Sequence, residues 1–102
     1  MIVELNEKNF NEKIENGLKL VEFYTNWCNF CRKQDEVFKE LPNMWVGKIN
    51  ATQNPKLTND FDIKGFPSFV LFKNGKILTE FSGYHNKNDL IMRLVEFIKY
   101  DY

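Results

Sequence analysis

Cys28 and Cys31 are the only cysteines among 102 residues, and two residues separate them. Bridging them would close a very short loop, so little unfolded-state entropy would be removed and a disulfide there would add little stability. Reactivity explains the pair better than stapling. Leu18 to Tyr24 is nearly continuous in apolar residues, as expected of a strand covered on both faces, while Cys31, Phe38 and Leu41 repeat at helical spacing. Trp27-Cys28-Asn29-Phe30-Cys31 therefore falls where a buried strand hands over to a helix. At a helix start the unpaired N–H groups and the macrodipole favour a thiolate on Cys28, and Cys31 lies about one turn on. The chemistry expected of such a pair is thiol-disulfide exchange. Cys28 attacks a target disulfide, and Cys31 resolves the mixed disulfide to leave a reduced target and an oxidised pair. The same spacing also forms half of a structural zinc site, but such a site wants four ligands and only His85 remains to join the cysteines. Neither a metal nor an organic cofactor is expected.

The elements that must hold this pair follow from periodicity and turn chemistry. Ile2, Val3 and Leu5 read as a first strand. Asn9 with Glu12 forms a capping-box-like start for a helix that buries Phe10 and Ile14 and stops at Gly17. The second strand spans Leu18 to Tyr24, with Lys19 and Glu22 as its polar exceptions, and a second helix spans about Cys28 to Leu41, ended by Pro42. Met44 to Asn50 predicts a third strand, and Asn54-Pro55 caps a short helix carrying Leu57 and Phe61. Phe69 to Lys73 and Lys76 to Phe81 flank Asn74-Gly75, a strong two-residue hairpin signal because both positions need positive φ. Leu90, Ile91, Leu94, Phe97 and Ile98 mark a closing amphipathic helix capped by Asn86 or Asn88. The order β-α-β-α-β-α-β-β-α, without a linker or repeat, predicts one α/β domain over residues 1–102.

Composition narrows the function. Ten Phe, four Tyr and two Trp supply a core large enough for so short a chain. Lys plus Arg and Asp plus Glu both total 14, so no net positive field gathers phosphates and nucleic acid is not an expected partner. The longest apolar run is Phe69 to Phe72, too short for a membrane span, and Glu4 interrupts the start too early for a signal peptide. With Met1 as the start, a cytoplasmic protein is expected, where thiols are kept reduced.

Several segments together resemble the thioredoxin family over essentially the whole chain. They are Leu20-Val21-Glu22-Phe23 ahead of Trp27-Cys28-x-x-Cys31, Lys48-Ile49-Asn50 with Gln53-Asn54-Pro55, Gly65-Phe66-Pro67, and Phe72-Lys73-Asn74-Gly75. The resemblance implies a thioredoxin fold, a central mixed five-stranded sheet in the order 1-3-2-4-5 flanked by four helices. It implies reduction of protein disulfides by a monomer that draws electrons from a thioredoxin reductase. An X-Pro bond is trans by base rate, but similarity to this family implies a cis Phe66-Pro67 bond, with the Phe66 backbone pairing with an extended substrate. Glu22 falls where the family carries a buried Asp behind the second cysteine, and Lys48 matches the lysine that can pair with it. Glu22 is then either the base that takes the Cys31 proton or one half of a partly buried ion pair. Trp27 and Phe66 match rim residues of the family. Asn29 and Phe30 join them as substrate contacts by their place in the exposed loop.

Departures from the family pattern matter too. Asn29-Phe30 replaces Gly-Pro between the cysteines, and Phe30 brings a backbone N–H that proline lacks, so the pair is expected to be less reducing than an ordinary thioredoxin. Glu36 stands in place of a helix proline, and the link to the third strand is shortened, both of which bear on docking to a thioredoxin reductase. A disulfide oxidase or isomerase is the alternative within the class, and a protein-binding scaffold with incidental redox activity is the alternative outside it. Arg32 and Lys33 read as a solvated helix face, and His85 as a polar surface residue without a catalytic role.

Overall fold

The computed structural model describes residues 1–100. Its elements are β1 (Ile2–Leu5), α1 (Phe10–Ile14), β2 (Leu18–Tyr24), α2 (Asn29–Lys39), β3 (Val46–Asn50), α3 (Pro55–Asp60), β4 (Ser68–Lys73), β5 (Lys76–Ser82) and α4 (Lys87–Tyr100). The five strands form one sheet in the order β1-β3-β2-β4-β5. β3 runs parallel to both β1 and β2, while β4 is antiparallel to β2 and to β5. The mixed sheet and its order are those implied by the family resemblance.

β2 lies inside the sheet, which is why its sequence is apolar on both faces. Successive strand side chains point to opposite sides. Val21 and Phe23 join Leu5, Ile49, Val70 and Phe72 beneath Phe10, Ile14 and Leu57 of α1 and α3. Leu20 joins Val46, Phe69, Leu71 and Phe81 beneath Val37 and Phe38 of α2 and Leu90 and Leu94 of α4. Glu22 shares the Leu20 face by parity and pairs in register with Lys48 on one side and Phe69 on the other. A carboxyl thus sits in the layer between the central strand and the cysteine-bearing helix.

The hairpin forms as its turn chemistry predicts, with φ of 49° at Asn74 and 82° at Gly75. It is tied to the stop of α1, since Gly17 N–H donates to Asn74 Oδ1 at 2.7 Å and Asn74 N–H to Gly17 O at 2.9 Å.

Helix caps differ from expectation. The Asn9–Glu12 capping box does not form: Asn9 Oδ1 accepts from Asn6 N–H at 2.8 Å, and Asn6 Oδ1 accepts from Lys8 and Asn9 N–H. Asn54 precedes α3 but turns its side chain to Glu7 N–H and Asn50 O, and Glu7 Oε2 accepts the Lys56 N–H instead. A carboxylate from 49 residues away therefore serves the first turn of α3. Of the two candidates for α4, Asn86 is the cap, accepting Asp89 N–H at 2.9 Å. α2 begins at Asn29 with Cys28 as its cap, and β3 begins at Val46 because Met44 N–H closes a turn onto Leu41 O. Of the apolar residues expected inward on α4, Leu90 and Leu94 are buried, but Ile91 and Ile98 flank that narrower stripe and are exposed. Among the described residues no helix is long and apolar enough to cross a membrane.

Candidate active site

β2 ends at Tyr24, and a turn closed by Cys28 N–H to Thr25 O delivers Cys28 to the head of α2. Cys28 takes an extended conformation (φ −88°, ψ 110°) as N-cap, and its Sγ accepts the Cys31 N–H at 3.1 Å. A sulfur in this place substitutes for the oxygen of an ordinary capping residue and receives one of the helix's unpaired donors. The two sulfurs are joined in a disulfide, with Cα atoms 5.2 Å apart. They are not equivalent: Cys28 is half-buried, whereas Cys31 is only 3% exposed on the inner face of α2.

Arg32, expected to be a solvated face, binds the loop from below. Its guanidinium donates to Asn29 Oδ1 at 2.8 Å and to Asn26 O at 3.0 Å. Lys33 places its ammonium 4.7 Å from the centre of the Tyr84 ring. Trp27, in the turn before α2, and Phe30, in the first turn of α2, are 69% and 58% exposed, large apolar side chains with no structural need to be shown. The Phe66-Pro67 bond is cis. Pro67 is buried, and the half-buried Phe66 packs against the α1/α3-side cluster. Phe23 of β2 pairs with Ser68 of β4, so Pro67 lies at the sheet end from which β2 leads to Cys28.

Sequence reasoning missed Gln34. Its side chain is fully buried; Nε2 donates to His85 O and Oε1 accepts His85 N–H, each at 2.9 Å. His85 is correspondingly not a free surface residue. It is half-buried, its Nδ1 lies 2.7 Å from Gly83 O, and its ring stands edge-on to Phe69 and Phe81. Gly83 N–H in turn donates to Pro67 O at 2.8 Å. Hydrogen bonds therefore run from the cysteine helix through His85 and Gly83 to the cis-proline loop. Cys31, Gln34 and Phe38 share one helical face, and that polar interruption of an apolar stripe is the signal that marks Gln34.

Glu22 is fully buried, and neither of its oxygens has a hydrogen-bond partner among the described residues. Burial pushes its pKa up to about 8; Lys48 opposes that rise, and the negative charges of Asp35 and Glu4 add to it. The expected Glu22–Lys48 pair is loose, at 3.9 Å from Lys48 Nζ to Glu22 Oε1. Lys48 instead bonds Asp35 Oδ1 at 2.7 Å and sits 4.3 Å above the Tyr24 ring. Asp35 gave no sequence signal, because an acid on the outer side of a helix reads as a solvated charge.

A sequence model of the family described as Thioredoxin matches residues 1–96. The chain belongs to the thioredoxin family. The thioredoxin of Staphylococcus haemolyticus is 31% identical over 94 residues, covering 87% of this chain and 90% of that protein. The thioredoxin of Chlamydia pneumoniae is 32% identical over 94 residues, covering 88% and 92%. In structure, a mutant thioredoxin from Halobacterium salinarum superposes with a TM-score of 0.84 at 23% identity, over 94% of this chain and 89% of the other, a likeness of fold. Membership of the thioredoxin family together with the Cys28–Cys31 disulfide makes this chain a thiol-disulfide oxidoreductase that reduces protein disulfides.

Proposed function

We propose that Cys28 is the nucleophile, Cys31 the resolving thiol and Glu22 the proton carrier of this reduction. The observation that carries the reading is the asymmetry of the two sulfurs: Cys28 caps α2 within reach of solvent and receives a peptide N–H, while Cys31 is sealed beneath it. In the reduced protein the Cys28 thiolate attacks a sulfur of the target disulfide, and the target's other sulfur leaves as a thiolate. Cys31 then gives its proton to the Glu22 carboxylate, attacks Cys28 Sγ and expels the second target thiolate. An acid with a pKa raised toward that of a thiol suits such a transfer in either direction. Lys48 tempers how far Glu22 rises.

Docking of the target uses the exposed turn before α2 and the first turn of that helix. Trp27, Asn29 and Phe30 offer the apolar and polar contacts beside Cys28, and the backbone of Phe66 ahead of Pro67 offers strand-like pairing, with its own ring turned to the core. The chain works as a single thioredoxin-like domain and a cytoplasmic monomer without cofactor, and a thioredoxin reductase is the candidate electron donor, with Glu36 and the short link ahead of β3 departing from the pattern for such docking.

Phe30 bears on direction. Its N–H stands where a proline would have none, and an added donor dipole near Cys28 favours the thiolate and hence the reduced pair. Equilibration against glutathione buffers, with the oxidised fraction read by alkylation, is expected to show Phe30→Pro more reducing than the wild type by about 30 mV, tenfold in the exchange constant. A wild-type potential far above that of the glutathione pool would turn the assignment to an oxidase. Equal potentials in the two proteins would remove Phe30 from the account of direction.

A further inference from the structure

Lys48 has two carboxyl groups near its ammonium and bonds only one. Nζ is 2.7 Å from Asp35 Oδ1 but 3.9 Å from Glu22 Oε1, and the neglected group is the one in greater need of a counter-ion. Glu22 has no exposed surface and no hydrogen-bond donor among the described residues, whereas the Asp35 side chain is 41% exposed and keeps its hydration. Asp35 and Lys48 line a surface cavity of about 490 Å³ together with Ile2, Phe38 and Pro42. The ammonium is therefore drawn toward the solvent side of the layer. An ionised carboxylate buried without a hydrogen bond, its lysine held at 3.9 Å by a bond to another acid, is costly in such a place, so the geometry favours a neutral acid.

Resting on the assignment of Glu22 as proton carrier, we propose that Asp35 is a positioning residue: by bonding Lys48 at 2.7 Å it leaves Glu22 only a loose counter-ion at 3.9 Å and keeps a proton there for the Cys31 sulfur. The proton is needed when the internal disulfide opens. An external thiolate attacks Cys28 Sγ, a new S–S bond forms, and the Cys28–Cys31 bond breaks with its electron pair leaving on Cys31. Glu22 gives its proton to that sulfur and becomes a carboxylate. In the return direction the Cys31 thiol hands the proton back as its sulfur attacks Cys28 and the external thiolate departs. Were Lys48 to turn from Asp35 to Glu22, the acid would ionise and have nothing to donate.

The groups around Glu22 that bear on its titration come from each neighbouring element. β3 supplies Lys48, α2 supplies Asp35, β1 supplies Glu4, and β2 itself supplies Tyr24, whose hydroxyl donates to Glu4 Oε2 at 2.8 Å. β4 and α4 contribute Phe69, Leu71, Leu90 and Leu94 to the same layer, all uncharged. Glu4 and Tyr24 are common to every Asp35 variant, so a change on substituting Asp35 reports on Asp35 and Lys48.

The test follows the protonated-carboxyl infrared band of Glu22 in the oxidised protein, identified by its loss in Glu22→Gln, together with the rate at which dithiothreitol opens the disulfide at neutral pH. Asp35→Asn is expected to lower the midpoint of the band by about one pH unit or more and to slow opening severalfold. Asp35→Glu is expected to restore both, and in a Lys48→Gln background the effect of Asp35→Asn should shrink, because its route through the lysine is gone. A midpoint unmoved in Asp35→Asn, or an undiminished shift in the Lys48→Gln background, overturns the role of Asp35. If Glu22→Gln itself opens at the wild-type rate, the proton-carrier assignment falls and takes the proposal with it. If Glu22→Gln is slow while Asp35→Asn behaves as wild type, only Asp35 is removed.

Discussion

Cys28→Ser is expected to lose dithiothreitol-driven reduction of insulin, a fall on the order of a thousandfold or more, to the uncatalysed rate. The serine hydroxyl is un-ionised at neutral pH and forms no disulfide, so neither half of the exchange survives. Stability is expected to hold up much better, because serine is among the preferred N-cap residues and its oxygen can take over the Cys31 N–H that Cys28 Sγ now accepts at 3.1 Å. That separation of activity from folding makes the variant informative. Cys31→Ser should fail differently, trapping the target as a mixed disulfide on Cys28, which non-reducing electrophoresis or intact mass displays directly. A Cys28→Ser protein that still turns over, or a wild type that never exceeds background, would favour a binding scaffold in which redox activity is incidental.

The second large effect is on stability and depends on pH. Burial raises the Glu22 pKa from its ordinary 4.5 to about 8, so between those values the folded chain holds a proton that the unfolded chain has released. The stability that this proton confers is fully present below about pH 4.5 and is lost progressively as pH rises to about 8. Over the whole window it amounts to something on the order of 5 kcal/mol. Glutamine cannot ionise and removes the dependence. Urea unfolding of oxidised wild type and Glu22→Gln across this range is therefore expected to show the variant gaining on the wild type with each step upward in pH, level only beyond pH 8. Parallel profiles for the two proteins would mean that Glu22 is ionised inside the fold, and would remove it as a proton carrier poised near neutrality.

Strands, helices and their order were legible because each announces itself within a few residues: the apolar run of β2, the Asn74-Gly75 turn, the Cys31–Phe38 helical spacing. Long-range partners were not. Nothing near Pro55 says that Glu7 will serve the first turn of α3, and nothing near Asn9 says that Asn6 will take over its turn. The site divides the same way. Cys28, Cys31, Trp27 and Pro67 are carried by a contiguous motif and by family resemblance, whereas the Gln34–His85 clasp joins residues 51 apart and requires two elements to be packed first. Glu22 stood out as an acid inside an apolar strand. Register sets it beside Lys48, with which it forms an ion pair at 3.9 Å, while the shorter bond of that lysine goes to Asp35 arriving from α2. Phe66, expected as a rim contact, is half-buried and packs against the cluster on the α1/α3 side.

The proposed exchange requires one sulfur, lodged against the first peptide donors of α2, to be ionised and open to attack. Alkylation of the reduced protein by iodoacetamide, followed by mass as a function of pH, measures it. Modification confined to Cys28, with a rate midpoint clearly below the value of about 8.5 typical of a free thiol, is the expected result. A midpoint at or above that value, or reaction beginning at Cys31, would contradict it.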